Sequence, residues 1–146
     1  MIAVEPFHPA DLEEIAVQPA QAGLLPRSER RWFADRAHDL GPAWSARDRE
    51  GRLILCAGFL VAHAGAATAW CVMAEAKGMA LLAITRRIRA LMAAASWRRV
   101  EMLTDPDFPE AGEWARLLGF TLEGVRRASA ADGGDELCWV RIRSDK

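Results

Sequence analysis

Apolar and polar positions along this chain switch between two periods, and each switch marks an element. Ile2-Ala3-Val4 opens as a short strand. Pro6 and Pro9 break it, and Asp11-Leu12-Glu13-Glu14-Ile15 starts a helix with acid in its first turn, where free N–H groups favour negative charge. Ser28 is the predicted N-cap of a second, more exposed helix that carries Trp32, Phe33, Ala37 and Leu40 on one stripe and stops at Gly41-Pro42. From there to Met73 the period shortens. Trp44 to Arg47, Leu53 to Ala62 and Thr68 to Met73 read as three antiparallel strands, joined by the turns Asp48-Arg49-Glu50-Gly51 and His63-Ala64-Gly65-Ala66. The middle one has almost no polar residue, so it is predicted to be central and covered on both faces.

The helical period returns with Leu81, Ile84, Ile88, Leu91 and Ala95 on one face and Arg86, Arg87 and Arg89 facing away. Arg99 to Thr104 is again strand-like, and Asp105-Pro106-Asp107-Phe108-Pro109 ends it. A short helix from Glu110 to Leu118 closes at Gly119, after which Thr121 to Ala128 and Glu136 to Arg143 flank the turn Asp132-Gly133-Gly134-Asp135 as a hairpin. The order is β-α-α-β-β-β-α-β-α-β-β. A helix crossing between the fourth and fifth strands favours a parallel pair there. The expected fold is therefore α/β (α+β), with a mixed, mainly antiparallel sheet of about six or seven strands.

Composition narrows the classes. The chain has 146 residues, the size of a single domain that buries its own core, with 51% apolar and 27% charged residues. Its longest apolar run, Leu53 to Ala62, is about half the ~20 residues of a membrane helix, and residues 1–20 lack a basic start followed by an apolar block. A cytoplasmic protein that does not engage a membrane is expected. The net charge of −1 offers no field for nucleic acid, and the arginine groups around Arg30, Arg86, Arg98 and Arg126 are interleaved with acids. Cys56, Cys71 and Cys138 are odd in number and far apart, which reads as buried thiols rather than a disulfide framework or zinc site. His8, His38 and His63 fall on separate segments and show no ligand spacing, so no metal is expected. Of the six tryptophans, Trp44, Trp70 and Trp139 fall on predicted strands as core, and Trp32 is the expected surface contact.

Two segments carry a family likeness. Val4-Glu5-Pro6-Phe7-His8-Pro9-Ala10-Asp11 looks like the first strand and Asp-initiated helix of the N-acetyltransferase (GNAT) superfamily, and Leu117-Leu118-Gly119-Phe120-Thr121-Leu122-Glu123-Gly124 is similar to its Leu-Gly-Phe segment before the last hairpin. With the element order, the resemblance spans nearly the whole chain. It implies an acyl-CoA site with acetyl-CoA or CoA as the ligand. Val72 and Met73 would offer strand backbone to the pantetheine, and Lys77, Gly78, Met79 and Ala80 would meet the pyrophosphate at the start of the central helix, where amides and the helix dipole favour an anion.

The chain departs from the family at two places. Glu75 stands where the phosphate loop begins with Arg or Gln, which puts an anion on the approach of another. Ala115 occupies the position where family members often carry a tyrosine as general acid, and the chain has no tyrosine at all. The indole of Trp114 does not titrate usefully, and Cys138 is better read as a small buried hydrophobe. Glu75, Glu101 and Asp105 are the carboxylates near enough in the pattern to serve as a base; a solvated strand face for Glu101 and a turn for Asp105 compete with that role. Catalytic residues therefore stay unassigned. The Thr68-Ala69-Trp70-Cys71-Val72 strand before an Arg-rich helix looks like phage and prophage GNAT-like proteins, including the group resembling the internal virion protein A of short-tailed phages. Two functions follow from this: a non-catalytic or structural protein with a degenerate acyl-CoA site and a protein or self partner, or an acyl-CoA-dependent N-acetyltransferase acting on an amine.

Overall fold

Unbroken burial from Leu53 to Phe59, with turns at Gly51 and Gly65, folds the middle of the chain into a meander around which the rest assembles. A computed structural model describes residues 2–22, 25–75 and 78–144. In order these form β1 (Ala3–Pro6), α1 (Asp11–Glu14), α2 (Pro19–Ala22), α3 (Arg27–Asp39), β2 (Ala43–Arg47), β3 (Leu53–His63), β4 (Ala66–Met73), α4 (Met79–Ala94), β5 (Arg99–Thr104), α5 (Pro109–Leu117), β6 (Thr121–Arg126) and β7 (Glu136–Ile142). The strands make one sheet in the order β1-β2-β3-β4-β5-β7-β6. Every neighbouring pair is antiparallel except β4 and β5, which α4 connects and which run parallel. The mixed α+β architecture read from the periodicity is the one observed.

β3 is the spine. Leu53 to Phe59 are all buried, because α1 and α3 cover one side of the sheet and α4 with α5 the other. On the first side Leu12, Ile15, Ala34, Ala37, Cys56 and Val72 form one cluster. On the other, Ile54, Ala57, Met73 and Ile84 pack beneath α4, and Phe59, Val100, Ala115, Phe120 and Trp139 join Met92. Leu12, Ile54, Ile84 and Val100 are essentially inaccessible, and each contributes about 1.5–3 kcal/mol of burial. The far end of α4 is held by β7 and the residue after it: Arg141 Nη1 donates to the Met92 carbonyl at 2.6 Å and Arg143 Nη1 to the Ala95 carbonyl at 2.9 Å.

Four points depart from the sequence expectations. Ser28 does not cap its helix: α3 starts at Arg27, Pro26 holds the cap position at φ −58°, and no side chain caps the end. Ser28 lies inside the helix, past the position from which a hydroxyl can accept the first free N–H groups. Within α3 the buried stripe is Ala34 and Ala37, while Trp32 and Leu40 are exposed and Phe33 packs edge-on against Trp70. The short turn α2 was not foreseen, since Pro19-Ala20-Gln21-Ala22 shows no apolar period. Cys56 and Cys138 are buried, whereas Cys71 is half-buried; all three are free thiols. No helix among the described residues is long and apolar enough to cross a membrane.

Candidate functional site

β4 is held differently on its two edges. Toward β3 it pairs over eight positions, from His63↔Ala66 to Leu55↔Met73. Toward β5 it pairs over four: Ala66↔Arg99, Ala67↔Val100, Thr68↔Glu101 and Ala69↔Met102. Beyond Ala69 and Met102 the strands part. The Ala74 N–H donates to the Ile54 carbonyl at 3.0 Å, toward β3. Because successive residues turn their N–H and C=O groups to opposite edges, Cys71 and Met73 present theirs to the gap, and Val72 faces β3 opposite Cys56.

The gap opens into a cavity of about 340 Å³. Its walls are largely apolar: Trp70 and Met73 from β4, Leu81 and Ile88 from α4, Met102 from β5 and Trp114 from α5. Two hydrogen bonds fix these walls. Trp114 Nε1 donates to Thr85 Oγ1 at 2.9 Å, tying α5 to α4, and Trp139 Nε1 donates to Thr104 Oγ1 at 2.8 Å. Trp70 is different: its Nε1 is the only buried side-chain nitrogen or oxygen among the described residues without a partner. Asp105 and Glu110 also line the cavity, and Asp105 Oδ1 accepts the Asp107 N–H at 2.9 Å, so it closes a turn as well.

The open edge of β4 is not bare. Gln21 Oε1 accepts the Met73 N–H at 2.8 Å, and Gln21 Nε2 donates to the Cys71 carbonyl at 2.9 Å. The Gln18 N–H donates to the Met73 carbonyl at 2.8 Å, and Gln18 Nε2 steadies Gln21 Oε1 at 3.0 Å. The one-turn α2 thus lays a carboxamide along the edge. Sequence reasoning missed both glutamines. The only signal available was two amides flanking a proline, and that carries no period.

The remaining sequence candidates spread out from this gap. Gly78 is the cap residue of α4 at φ +60°, a left-handed conformation that glycine adopts without strain. No side chain caps that end and its first turn holds no acid; Met79 is largely exposed and Ala80 half-buried. Glu75 is exposed, two residues past β4 rather than at its end, and Lys77 lies outside the described residues. From α5 and its cap the cavity is lined by Glu110 at the start and by Ala111, Trp114 and Leu118 along one helical stripe, whereas Ala115 is fully buried in the cluster with Phe120 and Trp139. Cys138 sits on β7 between Leu103 and Gly124, and burial pushes its thiol up. Cys71 is pushed well above the usual thiol range, first by burial, so neither sulfur is a ready acid or nucleophile at neutral pH. Glu101 is half-buried and paired with Arg99 at 3.0 Å. Among the described residues no group of three or more His, Cys, Asp or Glu is placed to hold a metal.

No protein-family profile and no curated protein matches the chain. Solved structures do. A GNAT superfamily phosphinothricin acetyltransferase from Sinorhizobium meliloti, in complex with AcCoA, superposes with a TM-score of 0.71 at 20% identity, over 99% of this chain and 89% of that one. A ribosomal-protein-S5-alanine acetyltransferase from Vibrio fischeri gives 0.67 at 16% identity, over 99% and 94%. A variant of the spermidine N-acetyltransferase SpeG from Vibrio cholerae gives 0.66 at 13%, over 97% and 93%. At these identities the likeness is one of fold: the chain has the GNAT fold.

Proposed function

We propose that this chain binds an acyl-CoA between β4 and β5 and transfers the acyl group slowly or not at all, serving as a binding or assembly protein. The observation that carries the reading is the parting of β4 from β5 after four rungs, which leaves the groups of Cys71 and Met73 without a neighbouring strand, beside a cavity that ends near the uncapped start of α4. A ligand fitting that track has backbone-like amides to pair with a strand edge and an anionic end for helix N–H groups. CoA has both, and when bound its acyl form supplies the thioester.

Transfer needs more than binding. An acid must stand where the leaving thiolate forms and a base where the amine loses its proton. The chain has no tyrosine, and Ala115 is buried off the stripe of α5 that faces the cavity. Glu75 adds negative charge near the approach to α4, and that disfavours phosphate. The resemblance of Thr68 to Val72 and the Arg-rich α4 to phage and prophage GNAT-like proteins supports a virion or assembly role. A second reading, an N-acetyltransferase acting on an amine, draws on Asp105 and Glu110, carboxylates on the cavity wall that can hold an ammonium group and take its proton.

Thermal unfolding and CoA release separate the readings. Acetyl-CoA at about 100 times its Kd stabilises the folded state by ~2.7 kcal/mol, a shift of several degrees in Tm. The expected result is that shift, together with CoA release at the buffer rate from acetyl-CoA mixed with small amines and peptide N-termini. Steady turnover would establish the transferase reading. No shift at millimolar acetyl-CoA, with no heat by calorimetry, would remove acyl-CoA from the account.

A further inference from the structure

The open edge of β4 offers an N–H and a C=O at Met73 and a C=O at Cys71, and all three are taken by one segment of the same chain. The Gln21 carboxamide does this in the manner of a neighbouring strand, accepting at one residue and donating at the next but one. The contact spans 52 positions in sequence and lies on a wall of the cavity, where Gln18 and Gln21 both appear. Two groups cannot bond to the same N–H in good geometry. Any ligand that reads this edge through its amides meets Gln21 already there.

We infer that Gln21 is an internal stand-in for a ligand amide, an autoinhibitory contact that must leave the β4 edge before an amide-bearing ligand can lie along it. The inference rests on the acyl-CoA reading above for the identity of that ligand. Displacement exchanges the two hydrogen bonds of Gln21 for two from the ligand, so the ligand gains little net from the edge. Binding is thereby made to depend on where α2 sits. Whatever draws α2 away from the sheet raises affinity for the ligand, and the ligand in turn releases α2.

The test is Gln21→Met, which keeps the length of the side chain and removes both polar atoms. Calorimetry is run with three probes: CoA, pantetheine, which has the amides without the pyrophosphate, and adenosine 3′,5′-bisphosphate, which has phosphates without the amides. A circular dichroism melt of each protein establishes that it is folded. The expected result is binding of CoA and pantetheine about tenfold tighter to the variant, the scale of one to two net hydrogen bonds, with the bisphosphate unchanged. Without ligand, the Met73 amide should exchange faster with deuterium in the variant. CoA binding equally to both proteins would overturn the inference and leave the acyl-CoA reading standing. Weaker binding to the variant would make Gln21 a ligand contact and overturn it as well. Failure of folded wild type and variant alike to bind CoA or pantetheine would overturn both together.

Discussion

The two edges of β4 divide the work of the molecule. On the β3 edge every position is paired and the strand behind it is buried without a break from Leu53 to Phe59. On the β5 edge pairing stops halfway, and a side chain from a distant turn completes what the neighbouring strand leaves undone. Fold stability is concentrated where the backbone is saturated by its own sheet. Binding capacity appears where it is not, because exposed strand N–H and C=O groups are recognition groups as well as liabilities.

Perturbations of increasing subtlety test that division. Phe59→Ala removes the aromatic opposite Ala69, the last closed rung, where Phe59 packs against Trp44 and Trp97. It is expected to cost about 3–5 kcal/mol in urea unfolding. An effect under ~1 kcal/mol would mean that the closed half is not what holds the pair together. Thr104→Val, on the diverging half of β5, strands the buried indole N–H of Trp139 and is expected to cost about 1–3 kcal/mol with the fold retained. Equal stability of wild type and variant would show that water reaches the indole there.

The smallest effect concerns the ion pairs at the start of β5. Hydrogen bonds from Arg99 hold the Glu123 carboxyl below its usual range. A carboxylate with a depressed folded pKa contributes stability that is present above its unfolded value, about 4.3, and lost as pH falls through the lower folded value. Arg99→Met should therefore lower stability slightly at pH 7, where the contribution is present, and converge with wild type in acid, so that the acid limb below about pH 4.5 is flatter in the variant. Because these groups are exposed or nearly so, 1 M salt should shrink the difference, and an unchanged acid limb would assign the slope to other carboxylates.

Much of this was legible beforehand, and the reasons differ by element. The β3 spine, the α4 crossover and the parallel pair follow from period and connectivity, which a single chain carries in its own pattern. Gly119 was readable as a helix stop because its φ of +94° suits glycine above other residues. The cavity was not readable, since its origin is the rung at which two strands part, and that depends on packing of α4 and α5 against both. Gln21 was invisible for a related reason: its partners lie some fifty positions away and its own neighbours show no period. Ser28 misled because the helix begins one residue before it, so a residue type that favours the cap position falls inside the first turn. The departures at Glu75 and Ala115 were legible only by resemblance, and the buried position of Ala115 emerges from the fold.

The placing of β7 between β5 and β6 has a consequence for the birth of the protein. As the polypeptide leaves the ribosome, β6 emerges with no partner in reach, because its only neighbour in the sheet is the strand still to be translated. β5 likewise waits with one flank bare, and the carbonyls at the end of α4 wait for Arg141 and Arg143. One late segment therefore zips two strands and seats a helix in a single step, and nascent chains stalled before Glu136 should present two unpaired edges to chaperones and proteases.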